Sequence, residues 1–399
     1  LTEDNIAELA RGSVSFVPGD NPYTFPFRLY PSQFKKSSSS IEIMAEESSK
    51  YIDLFMDRMD EYQFKIVENI YNKNKKSKRN TVKGNEERGN SEEGGEENVQ
   101  SSLIKNSSVA LGDFGILQSA SVITYPMQDG NDGITDNTEV KDYVSENGLK
   151  KVVKEERNSK NSSLLSYKMK PSHENFFGMQ SMKIYACKIH NILQPIINGG
   201  DEEGGIILVY GHFLVGTLIP FALALETAGY VRFDGEDQPL LIDNNKTREI
   251  NGKYALFTGS TKYTDPSKKK DTIDIINSKE NTYGKKVKFI LISSSAAEGI
   301  DFKNIRQVHV LAPWHNISKT EQIIGRAVRN CSHKNLKFEE RNVEIYMHSA
   351  YYDNDGKQKP FSPDFNIYQG AFNKASEIGK ISRKLKESSI DCLINQDYN

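Results

Sequence analysis

From Asn175 onward, short apolar runs alternate with helical stretches, and this alternation constrains the fold more than any other feature of the chain. Ile206-Ile207-Leu208-Val209-Tyr210 has no polar interruption, as a strand buried on both faces requires. Tyr254–Phe257, Val287–Ile292, Val308–Leu311 and Val343–Met347 repeat the signal. Between them, Phe176, Phe177, Met179, Met182, Tyr185, Ala186, Ile189, Ile192 and Leu193 recur at helical spacing, closed by Gly199-Gly200. A second helix is expected over 217–227, ended by Gly229, and a third over 365–393. Strands alternating with helices predict an α/β fold, a parallel sheet with helices on both faces.

The rest of the chain reads differently. Residues 1–34 are rich in Pro and aromatics, and predict one strand, near Gly12–Val17, and an extended connector. A helix is expected around Tyr51–Tyr71 and a strand at Val122–Pro126. Residues 73–100 are a Lys/Arg run followed by Gly/Glu repeats, too polar to offset their ordering entropy, and are expected to be disordered. The expected domain map is a connector over 1–34, a mostly irregular insert over 35–165, the α/β lobe over 166–350 and a C-terminal helical extension over 351–399. The insert accounts for a hydrophobic fraction of 37%, against about 45–50% for globular chains when Gly is counted.

Composition excludes several function classes. A formal charge of −2 gives no global field to draw in nucleic acid, so such binding needs a local patch. Cys187, Cys331 and Cys392 are odd in number and far apart, which points to reduced thiols rather than a disulfide framework. No Cys/His set has zinc spacing, and no metal site is expected. The longest apolar stretch, 205–230, is broken by His212, Pro220 and Glu226 and is no membrane span. The chain opens Leu1-Thr2-Glu3 with neither Met nor signal pattern, and is expected to be a piece of a longer protein or a truncated gene product.

Two segments carry chemistry. In Ile290–Phe302 a hydrophobic strand runs into Ser293-Ser294-Ser295, then Gly299, then Asp301. Ligands of open α/β sheets sit at the carboxyl ends of strands. Small residues there let a phosphate reach the backbone, and Gly299 permits close contact or a positive φ. The plain alternative is a strand followed by an ordinary capped turn. The second segment is Gln322-Ile323-Ile324-Gly325-Arg326-Ala327-Val328-Arg329. Ser318 and Glu321 have capping-box spacing, which predicts a helix from Lys319. Gln322, Arg326 and Arg329 would then share one face, leaving Ile323, Ile324, Ala327 and Val328 to pack inward. Two guanidiniums on one face suit phosphate clamping. A solvated charged face is the plain alternative, but Gly325 costs a helix about 1 kcal/mol without evident structural need.

Together these segments resemble superfamily 2 helicases. Ser293–Asp301 resembles motif V and Gln322–Arg329 resembles motif VI, in the same order and with a strand between them. Asn21–Pro26, Asn281–Gly284, Arg306–His309, Pro313-Trp314, Ser332-His333 and Lys386–Cys392 resemble the helicases of nucleocytoplasmic large DNA viruses, the group of the poxvirus nucleoside triphosphatases and early transcription factor. The resemblance covers the ends and roughly 170–395.

It implies a RecA-like second lobe over 166–350, with 1–34 emerging from a first lobe. It implies ATP with Mg2+, bound mainly by that first lobe. Gly299, Asp301 and Gly325 would face the nucleotide. Arg326 and Arg329 would act as arginine fingers, with Gln322 coupling them to it. Ser293, His212, Gly259 and Ser260 would contact the nucleic-acid backbone. Nucleic acid (DNA ahead of RNA), the first lobe and viral transcription machinery are the implied partners, and virion or infected-cell cytoplasm the implied location. Ala312 departs from the group, which has an acid before the Pro-Trp pair.

No Gly-Lys-Ser or Gly-Lys-Thr occurs, so no P-loop is present in this sequence. Asp60-Glu61-Tyr62-Gln63 imitates a DExx box, but Leu54, Phe55, Met56 and Met59 follow helical rather than strand spacing. The chain alone is therefore expected to hydrolyse ATP poorly. The competing reading is a non-catalytic module that holds nucleic acid or a partner on the same fold. A Rossmann-type enzyme is disfavoured by the lack of Gly-x-Gly-x-x-Gly.

Overall fold

The computed structural model describes residues 3–11, 13–15, 24–34, 53–86, 109–127, 140–158, 163–199, 204–242, 250–296, 299–354 and 361–390. Its centre is a parallel sheet built from β1 (Phe27–Leu29), β2 (Phe55–Arg58), β5 (Ile206–Gly211), β6 (Tyr230–Arg232), β7 (Gly252–Phe257), β8 (Phe289–Ser293), β9 (Ile305–Val310) and β10 (Asn342–Tyr351). The order is β1-β10-β9-β5-β8-β7-β6, and β2 pairs the second half of β10 beyond β1. β3 (Val153–Arg157) and β4 (Leu165–Met169) form a separate antiparallel pair.

The apolar runs are explained by burial on both faces. Ile207, Val209, Leu256, Phe289 and Leu291 enter one core, with α6 (Cys187–Ile197) and α7 (Ile219–Thr227) packed over them. Ile206, Leu208, Ala255, Phe257, Ile290, Ile292, Val308 and Val310 enter the other, beneath α8 (Lys269–Ile276), α9 (Ile317–Ala327) and α10 (Pro363–Glu387). Fully burying each Val, Leu, Ile or Phe contributes about 1.5–3 kcal/mol. The α/β fold with helices on both faces agrees with the sequence expectation.

Several local expectations need correction. α1 (Glu3–Ala10) is helical, Ser13–Ser15 form no strand, and the remaining residues of the strand expected at Gly12–Val17 lie outside the described ones. The helix expected around Tyr51–Tyr71 is a strand followed by a helix, β2 and then α2 (Glu61–Glu86). The helical spacing there was misleading, because pairing with β10 overrides it. Asp60 caps α2, its Oδ1 accepting from the Tyr62 N–H at 3.0 Å.

α2 also runs into the segment expected to be disordered. Residues 87–100 lie outside the described ones. Val122 ends α3 (Val109–Val122), and residues 123–127 form no strand. Within 35–165 the described stretches are thus largely regular. The run from Phe176 makes two helices, α5 (Met179–Tyr185) and α6, broken at Ala186. The remaining insert helix, α4 (Ser145–Val152), buries Leu149 and Val152.

α2 and α3 dock against α6, with Met59, Ile66, Val67, Ile70, Leu117, Ala120 and Cys187 in a third core. α3 also abuts the turn after β5, where Gly216 leaves no room for a Cβ against Ser119. Among the described residues, no helix is long and apolar enough to cross a membrane.

Candidate functional site

The carboxyl ends of β5, β7, β8 and β9 lie along one edge of the sheet. Gly211 of β5 pairs with Ser293 of β8, so His212 follows directly beside the Ser293 strand end. Ser293 is buried, its Oγ 3.1 Å from Ser295 Oγ. The Gly259 N–H donates to Ser295 Oγ at 3.0 Å, joining the turn after β7 to the same cluster. Ser260 belongs to that turn, its N–H donating to Thr258 Oγ1 at 3.2 Å. His212 stacks on Trp314 with ring centroids 3.9 Å apart. Burial, then the nearby Lys319 and His315, push its pKa down to about 4. His212 is thereby held uncharged at neutral pH.

α9 starts earlier than the capping box predicts. Asn316 is the N-cap, its Oδ1 accepting from the Ser318 N–H at 2.9 Å. Glu321 instead pairs with Arg28 of β1 at 2.7 Å. Ile323, Ile324, Ala327 and Val328 are buried as expected. Gln322 is exposed one turn before Arg326. A Cβ at Gly325 would meet nothing within 4 Å.

Arg326 and Arg329 do not share a helical face, because α9 ends at Ala327 and Val328 leaves helical geometry at φ −98, ψ 87. They converge nevertheless. Arg326 Nη1 donates to the Ile300 carbonyl at 3.3 Å, and Arg329 Nη1 lies 3.3 Å from Asp301 Oδ1. Gly299 has φ +73, and among the described residues nothing lies within 4 Å of where a Cβ would sit. Two cations thus border an open glycine turn, an arrangement able to take an anion. Among the described residues, no group of three or more His, Cys, Asp or Glu is placed to hold a metal ion.

Sequence reasoning gave no role to Ser332 and His333, which hold the loop after α9. It also missed a buried polar seam that runs from β2 and α6 to β9, β10 and the start of α10. His348 Nδ1 donates to Asp57 Oδ2 at 2.7 Å, His309 lies 2.9 Å from His348 Nε2, and Lys188 Nζ meets Asp364 Oδ2 at 2.6 Å. The only signal was polar residues within apolar strands, such as His309 between Val308 and Val310.

Residues 240–331, which hold the turn after β7, the end of β8 and both arginines, match the helicase conserved C-terminal domain. Over part of its length the chain is similar to proteins named as helicases, several of them viral. One, of Acanthamoeba polyphaga mimivirus, is provisionally named an ATP-dependent RNA helicase. It is 29% identical over 274 residues, 66% of this chain and 43% of the relative. A provisionally named helicase of Invertebrate iridescent virus 3 is 32% identical over 235 residues, 58% of this chain and 23% of the relative. A termination factor NPH-I homolog of African swine fever virus is 28% identical over 252 residues, 56% and 34% respectively. The chain thus spans less than half the length of these relatives. The C-terminal part of the Fun30 ATPase domain is similar in structure at TM-score 0.41 and 14% identity, covering 80% of this chain and 88% of that one.

Proposed function

We propose that this chain is the second motor lobe of an ATP-dependent superfamily 2 translocase acting on nucleic acid in viral transcription. The observation that carries the reading is the convergence of Arg326 and Arg329 on the Gly299–Asp301 turn, within the matched helicase segment. Residues 166–350 form the lobe, 35–165 an insert docked on it, 1–34 the connector and 351–399 the extension. A P-loop lobe outside this sequence binds ATP with Mg2+, and its closure brings the γ-phosphate to this edge.

Gly299, Asp301 and Gly325 then face the nucleotide, and Gln322 couples it to the arginine helix. Arg326 and Arg329 meet charge that develops on the transferring phosphoryl group, where an arginine is worth about 10³–10⁵ in turnover. Arg329 can leave Asp301 for a phosphate cheaply, since a half-exposed pair is worth about 0–1 kcal/mol. Ser293, Gly259, Ser260 and uncharged His212 contact the sugar-phosphate backbone, a mode that positions the strand without reading its sequence. The relatives' names point to an RNA helicase in some cases and to a termination factor in others. The substrate is therefore proposed as nucleic acid, and DNA and RNA form two arms of the test. A virion or the infected-cell cytoplasm is the proposed location.

The test is steady-state ATPase activity of the intact two-lobe protein, with and without DNA or RNA strands. Arg326→Ala lowers stimulated turnover at least about 10³-fold while the melting temperature holds. Arg326→Lys does not restore it, because an ammonium lacks the planar fork. A folded Arg326→Ala protein with near-normal stimulated turnover would favour the non-catalytic module instead.

A further inference from the structure

Arg329 sits on a loop, so α9 cannot aim it. A guanidinium that must meet a phosphoryl group needs its backbone fixed, since a misplacement of about 1 Å can cost about 10²-fold in rate. The adjacent Ser332-His333 pair supplies that fixation. The Arg329 N–H donates to Ser332 Oγ at 3.4 Å, and Ser332 Oγ lies 2.8 Å from His333 Nδ1. On its far side, His333 Nε2 donates to the carbonyl of Ile305, the first residue of β9, at 2.7 Å. Ser332 also ties the loop back, its Oγ 3.3 Å from the carbonyl of Ala327 at the end of α9. Its own carbonyl accepts from the Asn304 N–H at 3.1 Å.

Ser332 is 4% exposed and His333 1% exposed. Leaving such a buried polar group unpaired costs about 1–3 kcal/mol, so the chain of contacts from β9 to Arg329 has few alternatives. It also needs an uncharged imidazole, with one nitrogen donating and the other accepting. Burial supplies that condition by pushing the His333 pKa down to about 4.

We propose that Ser332 and His333 are positioning residues for Arg329, fixing its loop to the start of β9 so that the guanidinium is held at the Asp301 turn. This inference rests on the arginine-finger reading of Arg329. A histidine that merely supports the fold would lower stability whatever residue stands at 329. A positioning histidine acts through Arg329 and loses its effect once that side chain is gone.

The experiment is a double-mutant cycle on kcat and KM of the intact two-lobe protein. His333→Ala lowers kcat by about 10²-fold with little change in KM. In the Arg329→Ala background it lowers kcat no further, since residues acting as a unit are non-additive. His333→Gln, which keeps a donor for Ile305, restores part of the loss. If His333→Ala fails to fold, Ser332→Ala removes a single hydroxyl and runs the same cycle. Multiplicative losses in the double variant overturn the positioning role alone. An unchanged kcat in Arg329→Ala overturns the arginine-finger reading, and this inference with it.

Discussion

The arginine edge and the buried seam both rely on ionic contacts, yet they are built on opposite terms. At the edge, the Arg329–Asp301 pair is 3.3 Å long with side chains 37% and 59% exposed. In the seam, Lys188–Asp364 is 2.6 Å long with side chains 0% and 1% exposed, and Asp57–His348 is as deep. Lys188 also donates to the Leu311 carbonyl at 2.7 Å, tying α6 to the end of β9, while Asp364 accepts the Ala350 N–H at 2.9 Å. A fully buried pair cannot release one partner without stranding a charge. A half-exposed pair can exchange its partner because water compensates. The seam therefore holds one geometry, whereas the edge pair is free to exchange partners.

The largest difference between the two regions should appear in stability. Lys188→Ala strands the Asp364 carboxylate and should cost about 3–5 kcal/mol. Arg329→Ala should cost about 1 kcal/mol or less. Urea unfolding of this chain measures both, and comparable losses would remove the distinction. Replacing both partners, Lys188→Met with Asp364→Leu, should recover part of the loss. Recovery should be incomplete because the Ala350 N–H loses its acceptor.

A smaller effect separates the regions by pH. Burial holds the pKa of His309 in the seam well below its ordinary 6.5. As pH falls from about 6.5, the unfolded chain takes up the proton first, so stability falls with it. The contribution is complete above about 6.5 and fades as pH approaches the folded-state value. His309→Gln should flatten the slope of stability against pH below 6.5, read by melting at a series of pH values. An unchanged slope would place the acid sensitivity elsewhere.

The same contrast explains what the sequence made legible. β5, β7, β8, β9 and β10 could be read because burial on both faces demands unbroken apolar runs. Motif-like small residues and arginines at strand and helix ends located the edge. The seam could not be read, because its partners meet only in the folded chain. Asp57 and His348 are 291 positions apart, and β2 reads locally as helix. The cap of α9 was misplaced because Asn316 and Ser318 are both competent caps two residues apart. The convergence of Arg329 with Arg326 was expected for a wrong reason: the helix stops short of Arg329, and the loop beyond supplies the aim.

The most direct measurement compares two affinities of the intact two-lobe protein, one for ATP and one for ADP–aluminium fluoride, a mimic of the phosphoryl group in flight. An arginine finger acts mainly in the transition state. Arg326→Ala should therefore weaken the mimic by at least about 10²-fold while changing ATP affinity by only a few fold. Equal losses for both ligands, or none for the mimic, would contradict the account.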